Sequence, residues 1–290
     1  MTFSAEKLLG WKFKQASQTY TERDTMLYAL GVGVGSTDPL DAGELRYCYE
    51  KDLVALPTMA VVLAPDVERW VEDPNLGVDF TKLLHGEQML TVHRPLPPAA
   101  TVTGQSKFLE IYDKGREKGA VVYMEREIRN AADGTLLATL TSSAFLRGNG
   151  GCGGNTGESP KPHPIPADRP PDVTLDLPTR IDQALIYRLS GDYNPLHIDP
   201  AVGTAAGFPK PILHGLCSYG TAGRAIARLF CGNDATRLRV LNVRFSSPVY
   251  PGETIRTEAW RDGPGKAAFR CRVVERDVVV LNNGRAEFAA

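Results

Sequence analysis

An acid, an amide and an imidazole occur close together in the second half of the chain. Residues 187–197 read Tyr-Arg-Leu-Ser-Gly-Asp-Tyr-Asn-Pro-Leu-His and contain Asp192, Asn194 and His197. The glycine permits backbone angles that other residues avoid, and the proline fixes one dihedral, so the segment predicts an irregular turn that can aim all three side chains at one point. A neutral imidazole beside an ionised carboxylate can share the acid and base roles of a proton-transfer reaction near neutral pH.

A second motif, Ile-Leu-His-Gly at 212–215, precedes a stretch with helical periodicity. From Gly215 to Cys231, small and apolar residues recur at spacings of three and four, which predicts a helix with one apolar face. The two motifs together place polar groups beside the start of a buried helix.

The composition is that of an ordinary globular protein with room for two domains. Of the 290 residues, 42% are hydrophobic and 23% are charged, and the net charge of -1 gives no general attraction to nucleic acid or to an anionic membrane. We therefore expect neither of these as a partner. Five cysteines without a Cys-x-x-Cys pair indicate neither a disulfide framework nor a zinc ribbon.

The sequence contains no targeting signal that we can identify. Its first residues lack the basic and apolar segments of a signal peptide, and no run of about 18 apolar residues could cross a bilayer. Its last residues, Glu-Phe-Ala-Ala, are not a Ser-Lys-Leu peroxisomal signal. We expect a reducing, cytoplasmic location.

A segment rich in glycine and then in proline divides the chain. Its density of these residues, between positions 148 and 178, excludes a helix or an interior strand. We therefore predict an N-terminal domain over 1–147, a linker over 148–179 and a C-terminal domain over 180–290.

The two halves are similar enough to be degenerate copies of one domain. Leu-Tyr-Ala-Leu at 27–30 corresponds to Ile-Tyr-Arg-Leu at 186–189, and Arg-Pro-Leu-Pro-Pro at 94–98 corresponds to Ser-Pro-Val-Tyr-Pro at 247–251. Each half is predicted to be α+β, with one helix wrapped by a curved antiparallel sheet, and the halves to pack together as a pseudo-dimer. The predicted helices are 59–63 and 215–231, and the predicted strands are 88–93, 100–111, 120–130, 136–146, 238–245, 254–261, 267–275 and 278–288.

These motifs resemble the MaoC-like family of type 2, (R)-specific enoyl-CoA hydratases, which have a double hot-dog fold. The resemblance covers essentially the whole chain. Besides the acid, amide and histidine segment, it rests on Gly-Phe-Pro-Lys-Pro-Ile-Leu-His-Gly at 207–215, Pro-Val-Tyr-Pro-Gly at 248–252, Tyr-Thr-Glu-Arg-Asp at 20–24 and Leu-His-Gly-Glu-Gln at 84–88. One departure is Gly203, where the family usually has Ala or Ser, and we expect it to affect packing and not chemistry.

The resemblance implies reversible hydration of trans-2-enoyl-CoA to (R)-3-hydroxyacyl-CoA. No metal or redox cofactor is implied, since coenzyme A is part of the substrate. Asp192 and His197 would hold the water that is added, and Asn194 would hold this water or its partners. The Gly215 N–H, at the positive end of the helix, would stabilise the enolate oxygen of the thioester.

The resemblance also implies a substrate-binding role for the first half. An ungapped alignment of the halves leaves no acid and histidine pair there, so this half would make room for the acyl chain. A homodimer is expected by analogy with the fold. Lys114, in Asp-Lys-Gly, is a candidate partner for a phosphate of coenzyme A. The residues that correspond to the lining of the substrate site are His85, Gly86, Lys114 and Phe245.

Two rival functions stay open. Thioesterases of the hot-dog fold also use an acidic residue and a helix N-terminus, and the absence of a G-x-S-x-G motif argues only against an α/β-hydrolase. A non-catalytic acyl-CoA binding protein is a third possibility, against which the intact Asp192 and His197 pair argues. A purely structural interpretation of this pair is a turn held by local hydrogen bonds.

Three further patterns do not predict a cofactor site. His197, Asp199 and His214 suggest a metal, but structural zinc needs three or four convergent ligands, and we interpret His214 as orienting the helix start by a hydrogen bond. Residues 148–153 match G-x-G-x-x-G but lead into prolines and not into a helix. Residues 31–35, Gly-Val-Gly-Val-Gly, follow a helical segment and indicate a helix end with close packing.

Overall fold

One continuous sheet of ten antiparallel strands organises the molecule. The computed structural model describes residues 3–289. The strands are β1 (Ala16–Tyr20), β2 (Leu83–Val92), β3 (Ala100–Asp113), β4 (Ala120–Asn130), β5 (Leu136–Leu146), β6 (Val173–Pro178), β7 (Leu238–Phe245), β8 (Thr254–Arg261), β9 (Lys266–Val273) and β10 (Val278–Phe288). Their order across the sheet is β1-β3-β4-β5-β2-β7-β10-β9-β8-β6.

The helices are short apart from two. The α-helices are α1 (Ala5–Leu9), α2 (Glu22–Gly31), α3 (Ala42–Leu45), α4 (Gln183–Tyr187), α5 (Pro200–Ala205) and α6 (Gly215–Phe230), and the 3-10 helices are Pro57–Val62, Trp70–Glu72, Phe80–Lys82, Arg188–Ser190, Pro195–His197 and Ala235–Arg237. None of the helices within residues 3–289 combines the length and the apolar character needed to cross a bilayer.

The two halves of the chain meet at the middle of the sheet. Strand β2 of the first half pairs with β7 of the second, in a register that runs from Glu87 opposite Arg244 to Thr91 opposite Val240. Each half therefore contributes five neighbouring strands to one sheet. The predicted α+β arrangement of two similar halves packed as a pseudo-dimer is confirmed.

Helix α6 is the central helix of the second half and follows its prediction to within one residue. Its small and apolar residues form a buried face, in which Tyr219, Ala222 and Ile226 are inaccessible to solvent. Gly223 lets α6 approach both the 3-10 helix Pro57–Val62 and the sheet closely, because a Cβ at this position would lie 2.6 Å from the Thr58 side chain and 3.3 Å from that of Leu241 in β7. The helix therefore fills the space over its half of the sheet.

The first half has a much smaller counterpart of α6. The helix predicted over 59–63 is the 3-10 helix Pro57–Val62, which packs against α6. It ends there because Leu63 is extended, Ala64 adopts a positive φ of 40° and a proline follows. One face of the first half's sheet is consequently covered over a shorter length than the same face of the second half.

The two strands that the sequence analysis did not predict, β1 and β6, lie at the two edges of the sheet. Strand β6 falls within the predicted linker and ends at Pro178, which an edge strand tolerates because its missing N–H leaves no ladder bond broken. The prediction that this segment contains no interior strand is confirmed.

Two glycine predictions have clear outcomes. Residues 31–35 form the end of α2 and its exit, with Gly33 at a φ of 87°, and a Cβ at Gly31 would lie 3.1 Å from the Tyr187 Cα, so the predicted helix end with close packing is confirmed. For Gly203, the sequence predicts an effect on packing. A Cβ there would lie 3.2 Å from the Pro211 nitrogen, so the glycine leaves no gap that a larger residue would fill.

Candidate active site

The acid, amide and histidine segment folds as an irregular turn that its own polar groups hold in place. Gly191 has a φ of 126°, which favours glycine, and Asp192 Oδ1 accepts a hydrogen bond of 3.2 Å from the Asn194 N–H. Asn194 Oδ1 accepts one of 3.0 Å from the Leu196 N–H and so caps the 3-10 helix Pro195–His197. The turn presents the carboxylate and the imidazole on the same side.

Asp192 and His197 come together as the sequence predicts, and His214 joins them. One oxygen or nitrogen atom from each of the three side chains lies within 4.8 Å of the others. The two imidazole rings stack, with centroids 3.8 Å apart and planes inclined by 29°. Asp199, which the sequence analysis grouped with the two histidines, caps α5 instead by accepting a hydrogen bond from the Ala201 N–H. The acid in this cluster is Asp192.

The hydrogen bonds of His197 define its protonation. Nδ1 lies 2.9 Å from the Ile212 carbonyl oxygen, and because a carbonyl only accepts, Nδ1 carries the proton and Nε2 keeps a lone pair. Burial lowers the pKa of His197, while the bond to Ile212 and the charge of Asp192 oppose this shift. His197 is therefore neutral at pH 7 and can accept a proton at Nε2.

His214 connects the helix start to the turn. Its Nε2 donates a 3.1 Å hydrogen bond to the main-chain carbonyl of Asp192, and the side chain does not cap α6. Because His214 immediately precedes α6, this bond ties the start of the helix to the Asp192 turn, as the sequence-based interpretation of His214 expects. Burial, with a contribution from His197, lowers the pKa of His214 to about 4. Within residues 3–289 its Nδ1 is buried without a hydrogen-bond partner.

Gly215 is the first residue of α6, lies beside this cluster and is exposed to solvent. No side chain caps the first turn of the 16-residue helix, so its leading N–H groups are available to a ligand oxygen at the positive end of the helix dipole. A Cβ on Gly215 would lie 3.1 Å from Phe245 Cε1. Glycine therefore lets the Phe245 ring lie directly against the helix start.

The first half contributes His85 and Gly86 to the same place through the central strand pair. Because β2 and β7 are antiparallel, residues before Glu87 face residues after Arg244, and the His85 and Phe245 rings lie 4.7 Å apart. Gly86 lies in a bulge of β2, where a Cβ would be 2.8 Å from Ser143 Oγ.

His85 borders the cavity and is exposed there. Desolvation by the protein atoms around the ring lowers its pKa, while its bond to the Glu87 carbonyl and the charge of Asp192 act in the opposite direction. The influence of Asp192 places His85 within electrostatic reach of the cluster in the second half.

Lys114 lies away from these residues. It occupies the turn between β3 and β4, where Nζ is 3.3 Å from Ser159 Oγ and 5.4 Å from the centroid of the Tyr112 ring. Ile111, near the end of the strand β3 that leads into this turn, lies in register with His85 but three strands away. At the usual spacing between strands, the distance between these two residues is about 14 Å. Lys114 can contact only a distant part of a long ligand.

A cavity of about 190 Å³ adjoins the cluster and reaches into the first half. His85 and Leu216 form its wall on the side of the cluster, and Val61, Leu140 and Arg126 line it further in. The sequence predicts room for a chain in this half, but of these wall residues it identifies only His85. They are brought together by the short Pro57–Val62 helix and the sheet beneath it.

Comparisons with known proteins show which families the chain is related to. Residues 163–283 match the MaoC like domain, and residues 18–148 match the MFE-2 hydratase 2 N-terminal domain. The chain is 44% identical to 3-hydroxyacyl-thioester dehydratase Y of Mycobacterium tuberculosis, over 93% of each chain. It is 38% identical to a probable enoyl-CoA hydratase 2 of Dictyostelium discoideum, over 99% of this chain and 97% of the relative.

Solved structures show the same fold. The MaoC-like dehydratase of Phytophthora capsici has a TM-score of 0.84 and 36% identity over 99% of both chains. A Mycobacterium tuberculosis protein described as having a double hotdog fold superposes with a TM-score of 0.58 over 96% of this chain and 95% of its own, at 14% identity, a likeness of fold alone. The chain therefore belongs to the MaoC-like family of type 2 enoyl-CoA hydratases and 3-hydroxyacyl-thioester dehydratases, and it is a lyase with a double hot-dog fold.

Proposed function

We propose that this enzyme adds water reversibly to trans-2-enoyl-CoA and forms (R)-3-hydroxyacyl-CoA. The observation that supports this best is the position of Asp192 and the neutral His197 beside the uncapped start of α6. A hydration needs a base for the water and a group that stabilises the charge on the thioester oxygen, and these elements supply both. Relatives named enoyl-CoA hydratase 2 support the same reaction.

In the hydration direction, a water molecule is held between the Asp192 carboxylate and His197 Nε2. The imidazole accepts one proton as the water oxygen bonds to C3 of the enoyl group, and the electron pair of the double bond moves to the thioester oxygen. The Gly215 N–H donates to this oxygen, where charge develops. Return of the proton from the acid and histidine pair to C2 completes the addition of one water molecule.

Asn194 serves this site mainly by holding the turn. Its Oδ1 already accepts one hydrogen bond from the Leu196 N–H, so the amide nitrogen and the second lone pair of Oδ1 are left to contact the water. The thioester end of the substrate contacts His85 and Gly86 of the first half and Phe245 of the second. Lys114 binds a phosphate of coenzyme A.

Water addition neither oxidises nor reduces the substrate, so the proposal includes no redox cofactor. It includes no metal because the Asp192 and His197 pair and the start of α6 supply the base and the oxyanion donor themselves. The homodimer and the cytoplasmic location stay predictions from the sequence. Sedimentation of the purified protein tests the first, and imaging of the tagged chain in its native cell tests the second.

The test of the reaction follows the loss of conjugated thioester absorbance and the stereochemistry of the product. Asp192→Asn and His197→Gln should each lower the rate on the order of a thousandfold or more without unfolding the protein. Asp199→Asn is the matched control, because this nearby acid caps α5 and lies outside the cluster. A near-normal rate in either cluster variant would refute the mechanism. Release of free coenzyme A would identify a thioesterase, and binding without turnover an acyl-CoA carrier.

A further inference from the structure

The cavity beside the active site has a polar inner wall. In the first half, the sheet face that carries the buried core residues Leu90 and Leu140 also carries polar residues closer to the site. Strand pairing places Gln88 opposite Ser142 and Ser106 opposite Arg126 on this face. In the second half the long helix α6 covers the same face, whereas here the helix has only six residues and the polar groups line open space.

Arg126 supplies a hydrogen-bond donor that has no protein partner. Its Nη2 donates to the Val61 carbonyl at 2.8 Å, which fixes the guanidinium against the 3-10 helix. Its Nε makes no hydrogen bond among the residues that the structure describes, but this atom is closed off from the cavity as well as from solvent. Burial lowers the pKa of the guanidinium, and the nearby Asp66 carboxylate partly offsets this. Its Nη1, which is accessible and makes no hydrogen bond within residues 3–289, is the donor that a ligand in the cavity can use.

The same cavity contains acceptors. Asp66 accepts a hydrogen bond from the Ser106 hydroxyl through Oδ1, which leaves its second oxygen free to face a ligand. Gln88 Nε2 donates to the Met89 carbonyl, so its carbonyl oxygen remains as an acceptor. Donors and acceptors therefore face one small volume.

The charges in this wall favour a neutral ligand group. The positive charge of Arg126 is already opposed by the Asp66 carboxylate, whereas the carboxylate of neighbouring Glu125 lies on the other face of the strand, paired with Lys107. A carboxylate on the ligand would have to approach Asp66, and its charge would compete with Asp66 for the one guanidinium. A hydroxyl or keto oxygen accepts from the guanidinium without this repulsion, and a hydroxyl also donates to the free acceptors.

We propose that this cavity binds a neutral oxygen function, a hydroxyl or keto group, on the acyl chain of the substrate, and that Arg126 is its principal partner. The inference rests on the proposed hydration, since the cavity is lined by Leu216 of the first turn of α6 and by His85, whose ring lies against Phe245 beside the same helix start. A site that hydrogen-bonds a substrate oxygen discriminates against the analogue that lacks it, because its own buried polar groups are then left unpaired. The enzyme is therefore selective for oxygenated acyl chains.

The experiment compares trans-2-enoyl-CoA substrates in sets of equal chain length that end in a methyl, a hydroxyl or a carboxylate group. The wild-type enzyme should show a ratio of kcat/KM, hydroxyl over methyl, on the order of tenfold or more at the chain length that reaches Arg126. Arg126→Met should bring this ratio close to one. Ser142→Ala should lower it by a smaller factor and serves as the second variant if Arg126→Met does not fold.

Arg129→Met is the matched control, since Arg129 lies on the same strand, pairs with Glu127 and does not line the cavity. It should leave the ratio unchanged. A wild-type ratio of one or less at every length, a preference for the carboxylate chain, or a ratio unaffected by Arg126→Met would overturn the inference. The short substrate crotonyl-CoA separates the two levels: if it too is not hydrated, the proposed reaction itself fails.

Discussion

Replacement of His214 by phenylalanine should separate the positioning of the site from the stability of the fold. Phenylalanine keeps an aromatic ring in the stack with His197 and Tyr187 but removes the hydrogen bond from Nε2 to the Asp192 carbonyl. That bond contributes about 1 kcal/mol, and its loss allows the Asp192 turn to sample other positions. If the whole amount is lost from the reactive arrangement, kcat falls about five- to tenfold.

The same substitution should cost little stability. His214 is buried, with 1% of its surface exposed, and its Nδ1 has no partner among residues 3–289, so phenylalanine removes an unpaired polar atom worth about 1–3 kcal/mol. This gain offsets the lost hydrogen bond and the strain of a slightly larger ring, which is of similar size. We therefore expect the free energy of unfolding to change by less than about 2 kcal/mol.

Two measurements on each variant decide the matter: kcat and KM with a short trans-2-enoyl-CoA, and unfolding in denaturant. His93→Phe is the matched control, because this exposed histidine also makes one hydrogen bond, to Thr139 Oγ1, but lies outside the cluster. A His214→Phe enzyme with the kcat of the wild type would refute the positioning role. A loss of activity that only follows loss of folded protein would refute it equally.

Three further outcomes are expected. Because burial holds the pKa of His214 at about 4, below the ordinary 6.5, the unfolded chain binds more protons than the folded one between these values. The free energy of unfolding measured in denaturant should therefore fall as the pH drops from 6.5 to 4, and a flat profile would contradict this shift. Gly86→Ala should raise KM severalfold, since the added Cβ must displace Ser143 Oγ from 2.8 Å and move the bulge; an unchanged KM would exclude the bulge from binding. Glu44→Gln should destabilise the protein by about 3 kcal/mol, because the buried Arg224 guanidinium, which lies 2.7 Å from the Glu44 carboxylate, loses its counter-charge. A denaturation midpoint that corresponds to a loss below about 1 kcal/mol would refute this.

The regular part of the fold is readable from the sequence because it depends on local patterns. Alternating residues and flanking turns give the bounds of β4, β5, β7, β8 and β10 as the structure has them. The edge strands β1 and β6 escape the same procedure, since each has only one neighbour and a weaker pattern of buried residues. Pairing partners at an edge are decided by the tertiary fold.

The candidate site divides in a similar way. The convergence of Asp192 and His197 is predictable because six residues of turn carry both. The hydrogen bond between His214 and the Asp192 carbonyl spans 22 residues and depends on how α6 meets the turn, so spacing alone does not reveal it. The role of Arg126 in the cavity wall cannot be read from the sequence either. A charged residue on a half-exposed strand has the pattern of a surface position, and the cavity in front of it exists only because the neighbouring helix is short.

The difference in helix length between the two halves explains why one active site arises from two similar domains. The 16-residue helix α6 covers its half of the sheet and leaves no room for an acyl chain there. It begins where the two halves meet, and its uncapped N-terminus, the positive end of the helix dipole, can stabilise an oxyanion. The six-residue 3-10 helix of the other half has no comparable terminus to offer, but it leaves a cavity at the same seam. The β2 and β7 pair holds the two at a fixed distance, with His85 against Phe245. In the proposed mechanism, chemistry and substrate room are thus supplied by opposite departures from one common domain, and each half depends on the other to complete the site.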